Sequence, residues 1–542
     1  MSLWLLRTFT RQLVSYPPVA DSAAKLLPAG DLASEIPTRD NGGISPDGRV
    51  YTFHLRAGVR WNTEPPRDVT AADVARGLKM VCNPVSPAGA ADYYTRTILG
   101  MATYCERFSR VPGTPAAIEQ FVASTTIDGI RTPDDRTVVF TLTAPAADFL
   151  NLLAMPFASP MPIEYLRYVP DGPEFRQRTI SNGPYQLRRY IQNREMVFER
   201  NPTWNATSDP IRPAYVDRVR VRLGVDEQLQ QLQVQAGTAD IAADIAPSST
   251  ASALLESGDP SIWLSPGDDV YGVFDTLLFN RISPNSQRFF DRKDVRRAIS
   301  MAVDRSALAQ VSGGPRVARA LHQAVPSFVS GFVPERRKGT GPADHGDPIA
   351  ARRLLEKEGV PRGTRLRLAY PLFEIGSLMA QVLQSNFEHA GLEVELRPLL
   401  LSEFYGRLLA DDDNARRGEW DLLLSPWLSD WFGRANGRSV FGPMFYRRRL
   451  NTGMQNYGHY ENPAVDAAID RALLAPTEDD AQREWQKTAA LLMDDVAQVP
   501  LLERKVPYGR SRRVRNCSWT VLGFNCDLTA VWLAGASPAN GS

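Results

Sequence analysis

The 542-residue sequence contains no apolar run of the ~18 residues that a membrane-spanning helix requires. Its longest candidate, residues 151–163, is interrupted by Pro156, Pro160 and Pro162. An excess of one charge is missing too. There are 62 basic and 61 acidic residues, a net +1, which gives no sign of a nucleic-acid surface or an acidic tail. Short arginine clusters at 447–449 and 510–515 read as solvated surface. Histidine is scarce: His54, His322, His345, His389 and His459 are scattered and form no i, i+4 pair. The glycine-rich nucleotide loops, the H-E-x-x-H pair and the G-x-S-x-G elbow are all absent, so no cofactor, no metal and no enzymatic activity is expected. The N-terminal stretch MSLWLLRTFTRQLVSYPP places Arg7 and Arg11 after a short apolar patch. That is not the charged, apolar, small-residue order of a signal peptide, so these residues show no export address.

Cysteine is limited to four residues. Cys82 lies near Cys105 in the chain, and Cys517 near Cys526, without the spacing of a zinc site. Local pairing gives two disulfides and no odd thiol, as in an exported protein. Four unrelated, mostly buried thiols are the other reading.

What is present is a long, ordinary globular composition, 43% hydrophobic and 23% charged. At this length several lobes or domains are expected. Tyr51, Phe53 and Leu55 alternate as a half-buried strand, and Val59-Arg60-Trp61 follows after a turn at Gly58. Thr70 with Asp73 three residues on is a helix-start signature. Val138, Phe140 and Leu142 repeat the alternation. Residues 271–280 read as a strand ending at Asn280. A helix then carries Val295, Ala298, Ile299, Ala302 and Val303 on one face, with Asp291 or Asp294 as its cap. Residues 365–370, 376–390 and 392–397 read as strand, helix, strand, which calls for parallel pairing. Residues 419–424 form a further buried strand, and Asn462 caps a helix over Val465, Ala468, Ile469 and Ala472.

Several of these strings resemble, in chain order from about Leu32 to Arg513, the extracytoplasmic solute-binding proteins of peptide and nickel ABC importers. The composite YTFHLRAGVRW…VTAADV departs from that family's pattern only in Glu64-Pro65-Pro66. Residues 181–187 (SNGPYQL) with 196–204, and the Asp294-Val295-Arg296-Arg297-Ala298…Asp304-Arg305 segment, follow it closely. The resemblance implies an α/β, periplasmic-binding-protein-like two-lobed fold of the large peptide-binding type, with an extra subdomain inserted in lobe 1. Its expected bounds are 1–30, 181–280 and 506–542 for lobe 1, 31–180 for the inserted subdomain, and 281–505 for lobe 2, with Asn280 as hinge. It also implies a peptide or other small solute as ligand, ABC permease and ATPase subunits as partners, a monomer, and an extracytoplasmic location, secreted or as a membrane-anchored lipoprotein. On that account an export signal precedes this N-terminus; the alternative is an unexported ligand-sensing or orphan relative not engaged in transport.

The resemblance also maps a site. In peptide-binding members an aspartate in the loop after a buried strand pairs with the ligand's α-amino group, a role that falls on Asp430. Trp427 and Trp431 would wall the pocket, or else be core residues, and Asp430 has a loop cap as its plainer reading. Gly433-Arg434-Ala435 replaces the family's Asp-Pro, and Arg434 at the mouth would favour an acidic ligand or shift the pocket. Tyr271 and Phe274 either face the cleft or alternate into a core. Tyr457 and His459 sit in a loop resembling one near the cleft. His459 is also the one histidine placed for the minority option of a metal-chelate ligand.

Overall fold

The computed structural model describes residues 3–19, 24–265, 272–334, 344–433, 435–446, 455–475, 477–520 and 523–535. Two compact units are built chiefly from Met1–Asp226 with Arg513–Ser542, and from Glu227–Arg449 with Gln455–Arg512.

In the first unit β1 (Val50–His54), β2 (Ile130–Asp134) and β3 (Thr137–Thr141) form an antiparallel sheet with β3 central. The alternation read from Tyr51 and Phe53 is the alternation of its buried face. The helix α1 (Ala71–Met80) starts as expected at Thr70, whose backbone N–H donates to Asp73 Oδ2 at 3.0 Å. Asp73 is 1% exposed and also accepts from the Trp61 indole (3.0 Å), Arg67 (2.8 Å) and Arg76 (2.6 Å). One carboxylate therefore ties strand, turn and helix together, which is why these residue types occur in that order. β4 (Tyr185–Ile191), β5 (Glu195–Arg200) and β6 (Arg218–Arg222) make a second antiparallel sheet.

Arg7 and Arg11 are not surface residues. Arg7 bonds Asp527 Oδ2 (3.0 Å), Arg11 bonds Asp31 Oδ1 (2.8 Å), and Arg212 bonds Asp31 Oδ2 (2.7 Å) and approaches Asp209 (3.3 Å). All six side chains are at most 1% exposed. Three guanidiniums and three carboxylates thus join the N-terminal, middle and C-terminal segments of this unit. Cys82–Cys105 and Cys517–Cys526 are disulfides, with Cα atoms 5.5 and 4.6 Å apart, and no described cysteine is free. The thiol alternative is thereby set aside.

The second unit is organised on a six-stranded mixed sheet. Its strands are β9 (Val273–Phe279), β10 (Ala318–Ala320), β11 (Thr364–Pro371), β12 (Leu392–Leu399), β13 (Leu422–Leu428) and β14 (Gln498–Arg504), in the order β10-β14-β9-β13-β11-β12. β11 runs parallel to β12 and β13, as the strand–helix–strand pattern demands, and β9 runs antiparallel to β13 and β14. The helices α2 (Lys293–Ala302), α3 (Pro348–Lys357) and α4 (Glu374–His389) cover one face, burying Val295, Ala298, Ile299 and Ala302 against Leu277, Leu368 and Leu424. A smaller sheet pairs β7 (Ile241–Ile245) and β8 (Ile262–Ser265) with β15 (Val506–Arg510).

Two expectations need correction. Residues 227–280 and 506–512, expected in lobe 1, fall in the second unit, because β9 is an inner strand of its main sheet and β7 and β8 pair with β15; residues 31–180 fall in the first unit, where they were expected. The N-cap of α2 is Arg292, with no side-chain cap; Asp294 instead stands in the first turn and pairs with Arg297.

Burial alone would raise the Asp31 carboxyl, but Arg212 and Arg11 outweigh it and hold the group down at about 2. A folded value below the unfolded one stabilises above pH ~4 and is lost as pH falls through about 2, a contribution on the order of 2 kcal/mol. Asp31→Asn is expected to cost about 3–5 kcal/mol at pH 6, since it strands two buried cations. The gap from wild type should narrow as pH drops toward 2, as read from urea unfolding at a series of pH values.

Candidate functional site

The second unit's main sheet has two distinct ends. Leu428 at the end of β13 pairs with Val273 at the start of β9, and Val273 pairs with Arg504 at the end of β14. Pro371 pairs with Leu399 at the ends of β11 and β12. The carboxyl ends of all three parallel strands therefore share one edge, the position at which open α/β sheets take their ligands.

Asp430 lies on this edge, two residues past β13, and is half-buried. Its loop is fixed by hydrogen bonds among buried neighbours. Ser429 Oγ donates to the Trp431 carbonyl at 2.6 Å and lies 2.8 Å from Ser439 Oγ. Asn436 donates to the Phe328 carbonyl (2.8 Å) and accepts from the Ser330 N–H (2.7 Å). Phe328 and Phe432 stack at 5.2 Å. Ala435 is held at φ +62°, a left-handed conformation that a non-glycine residue adopts only where its surroundings dictate it. The loop is thus a rigid mount for a carboxylate.

Trp427 and Trp431 are buried side chains that hydrogen-bond within this loop region. The Trp427 indole donates to the Ser439 carbonyl at 3.2 Å, and Trp431, which is wholly buried, donates to Ala435 at 3.3 Å. Phe274 is likewise fully buried, paired with Trp427. Tyr271 and Arg434 lie outside the described residues. On the same edge Asp275 and Arg504 form a buried ion pair, Nη2 to Oδ1 at 2.9 Å, in which Arg504 Nη1 keeps no hydrogen-bond partner.

The structure does not bring Tyr457 and His459 to this edge. Gly458 accepts from the Arg281 N–H at 3.2 Å, just beyond Phe279, at the opposite end of β9. Burial, with Tyr405 nearby, pushes the Tyr457 phenol up. His459 Nε2 stands 3.6 Å from Asp412 Oδ1, and no group of three or more His, Cys, Asp or Glu suited to a metal occurs among the described residues. Asn280 is also at that far end and inside the second unit. Its amide donates to Ala415 (2.9 Å) and Trp420 (2.8 Å), so it anchors a strand end rather than marking the margin of a lobe.

Leu372, Phe373, Leu400 and Leu401 escaped the sequence reading. They follow β11 and β12 directly and are 39–56% exposed, alongside Leu428 at 47%. The available signal was the overrun of apolar residues past each strand, Pro371-Leu372-Phe373 and Leu399-Leu400-Leu401.

Residues 28–442 match the family described as "Bacterial extracellular solute-binding proteins, family 5 Middle". The chain belongs to this family. It is a family of binding proteins, not of enzymes. Among relatives of this solute-binding protein, di/tripeptide-binding protein 1 of Pseudomonas aeruginosa strain UCBPP-PA14 is 25% identical, over 73% of this chain and 68% of the relative. The dipeptide-binding protein of P. aeruginosa PAO1 is 24% identical over 89% and 82%. The solved structure titled "Clavulanic acid biosynthesis oligopeptide binding protein 2" superposes with a TM-score of 0.79 at 25% identity, covering 98% of this chain and 92% of that one. The expected α/β fold of the peptide-binding type accordingly extends over nearly the whole chain.

Asn436→Ala removes the partners of the Ser330 N–H and the Phe328 carbonyl. It is expected to cost about 1–3 kcal/mol and to speed amide exchange in residues 429–433, measured by thermal unfolding and hydrogen exchange.

Proposed function

We propose that this protein is the substrate-binding subunit of an ABC importer. It captures a short peptide or related solute in an interlobe cleft, outside the cytoplasm, and delivers it to the permease that the ATPase subunits drive. Family membership and relatives named as dipeptide- and di/tripeptide-binding proteins support this reading. The two disulfides agree with an oxidising compartment. The observation that carries it is Asp430, a carboxylate on a hydrogen-bonded loop at the ligand-taking edge of a parallel-stranded sheet segment.

On this reading Asp430 receives the ligand's α-ammonium group. A charge-assisted hydrogen bond in a site closed to water discriminates strongly, because an uncharged ligand group does not repay the cost of desolvating the carboxylate. Trp427 and Trp431 contribute by holding the loop. Conversion of binding into delivery requires that the permease distinguish occupied from empty protein, through the ligand's different affinity for two arrangements of the chain.

Asp430→Asn is expected to weaken binding of trialanine about 10- to 100-fold, the worth of one charged hydrogen bond. N-acetyl-trialanine should bind wild type as weakly, and should lose little more in the variant, since both changes break the same contact. Calorimetric titration of the four combinations measures this. Equal trialanine affinity in wild type and variant would refute the assignment.

A further inference from the structure

Three of the exposed side chains at the binding edge continue the sheet's own core rows. On β11 the core face is carried by Leu366, Leu368 and Tyr370; on β12 by Leu392, Val394 and Leu396; on β13 by Leu422 and Leu424. The period of two places Leu372 next on the β11 row, and Leu400 and Leu428 on the β12 and β13 rows one position beyond Pro398 and Pro426. Burial falls away toward the carboxyl ends: Leu396 and Pro426 are partly buried, Pro398 is exposed, and Leu372 is 47%, Leu400 56% and Leu428 47% exposed. The Leu372 N–H donates to the Leu399 carbonyl at 2.7 Å, so β11 and β12 are still joined where their apolar residues emerge. Phe373 and Leu401, the next residues in the chain after Leu372 and Leu400, are exposed as well.

We propose that the solute bound here carries an aliphatic or aromatic side chain close to its ammonium group, and that Leu372, Leu400 and Leu428 form the surface that selects it. This rests on the peptide reading of Asp430. Leu428 stands two positions before Asp430, so a ligand whose amine is held by that carboxylate brings its first side chains to this row. The size of the patch favours a small occupant. Five half-exposed side chains amount to an area on the order of a few hundred Å², the scale at which apolar patches on soluble proteins are functional. That is well short of the ~800 Å² per partner that a stable protein–protein interface buries, which argues against a second copy of the chain.

The test is calorimetric titration of matched tripeptides, X-Ala-Ala and Ala-X-Ala, with X as Leu, Phe, Ser, Lys or Asp. In at least one series the Leu and Phe peptides are expected to bind about tenfold or more tighter than the Ser peptide, the effect of covering one large apolar side chain. In Leu372→Ser/Leu400→Ser that ratio should fall to within about twofold, with an unchanged thermal unfolding midpoint because both positions are exposed. If the Leu and Ser peptides bind wild type equally well, the apolar selection is wrong while the peptide reading stands. A ratio that survives in the double variant overturns the assignment to these leucines. If no tripeptide of either series binds, the peptide reading fails and this inference fails with it.

Discussion

The second unit depends on one strand. All seven residues of Val273–Phe279 are buried, and the strand is paired antiparallel on both edges, to Leu422–Leu428 and to Gln498–Arg504. A shift by one residue would turn Leu277 and Phe279 away from the helical core and drive Thr276 into it. Thr276 opposes such a slip directly, with its hydroxyl 2.8 Å from Gln498 Oε1 and 3.1 Å from the Val499 carbonyl. Gln498 in turn donates to the Ala324 carbonyl at 2.6 Å. This polar chain is buried and mutually satisfied, so it supplies register where apolar contacts alone would tolerate sliding. Because the strand opposes β13 in direction, its first residues stand beside the carboxyl ends of the parallel strands. The location of the proposed binding edge follows from that single polarity.

Local features of this architecture were legible in the sequence. The helix over Val295, Ala298, Ile299 and Ala302 is announced by its period, and the parallel pair β11–β12 by an intervening amphipathic helix of suitable length. The Trp61–Thr70–Asp73 constellation is local enough to read as turn and cap. What the sequence conceals is pairing at long range. Leu277 meets Leu424 on one side and Val499 on the other, and nothing in its neighbourhood specifies either. For that reason residues 227–280 read as lobe 1 from local sequence, while their strands pair within the second unit. The same reason accounts for Tyr457 and His459, whose surroundings in the chain suggest a binding loop while the direction of β9 carries them to the far end. Asp430 was accessible only through its family resemblance. Exposure of Leu372 and Leu400 was not readable, since an apolar run gives no sign of where its cover stops.

Charge was the least legible property. Arg7 and Arg11 look like an ordinary polar flank, yet they are among the most buried groups of the first unit. Ion pairs of this kind gain little net stability over well-packed apolar residues, because removing both charges from water offsets their attraction. Their effect is on alternatives. Any arrangement in which the segments around Arg7, Asp31, Arg212 and Asp527 fail to meet leaves buried charge without a partner. The network therefore acts as a check on assembly of a unit whose parts are far apart in sequence. The Asp275–Arg504 pair has the same character in the second unit, but with one guanidinium nitrogen left over beside the binding edge.

The two halves of that edge differ in the discrimination they offer. The Asp430 loop is held by hydrogen bonds of fixed direction, so a group placed there meets demands on charge and geometry together. The leucine row makes no directional demand; an apolar surface rewards the area it loses to water and is nearly indifferent to shape. A ligand read by both would be recognised strictly at its amino end and permissively along its side chain. Such a division suits capture of a chemical class instead of one molecule. A binding protein of strict specificity needs polar groups matched to every polar group of its ligand, since an unmatched one is what rejects a near relative. Among the described residues of this edge the side chains that emerge beyond the strands are mainly apolar, and on the proposed reading their discrimination would be by hydrophobic area.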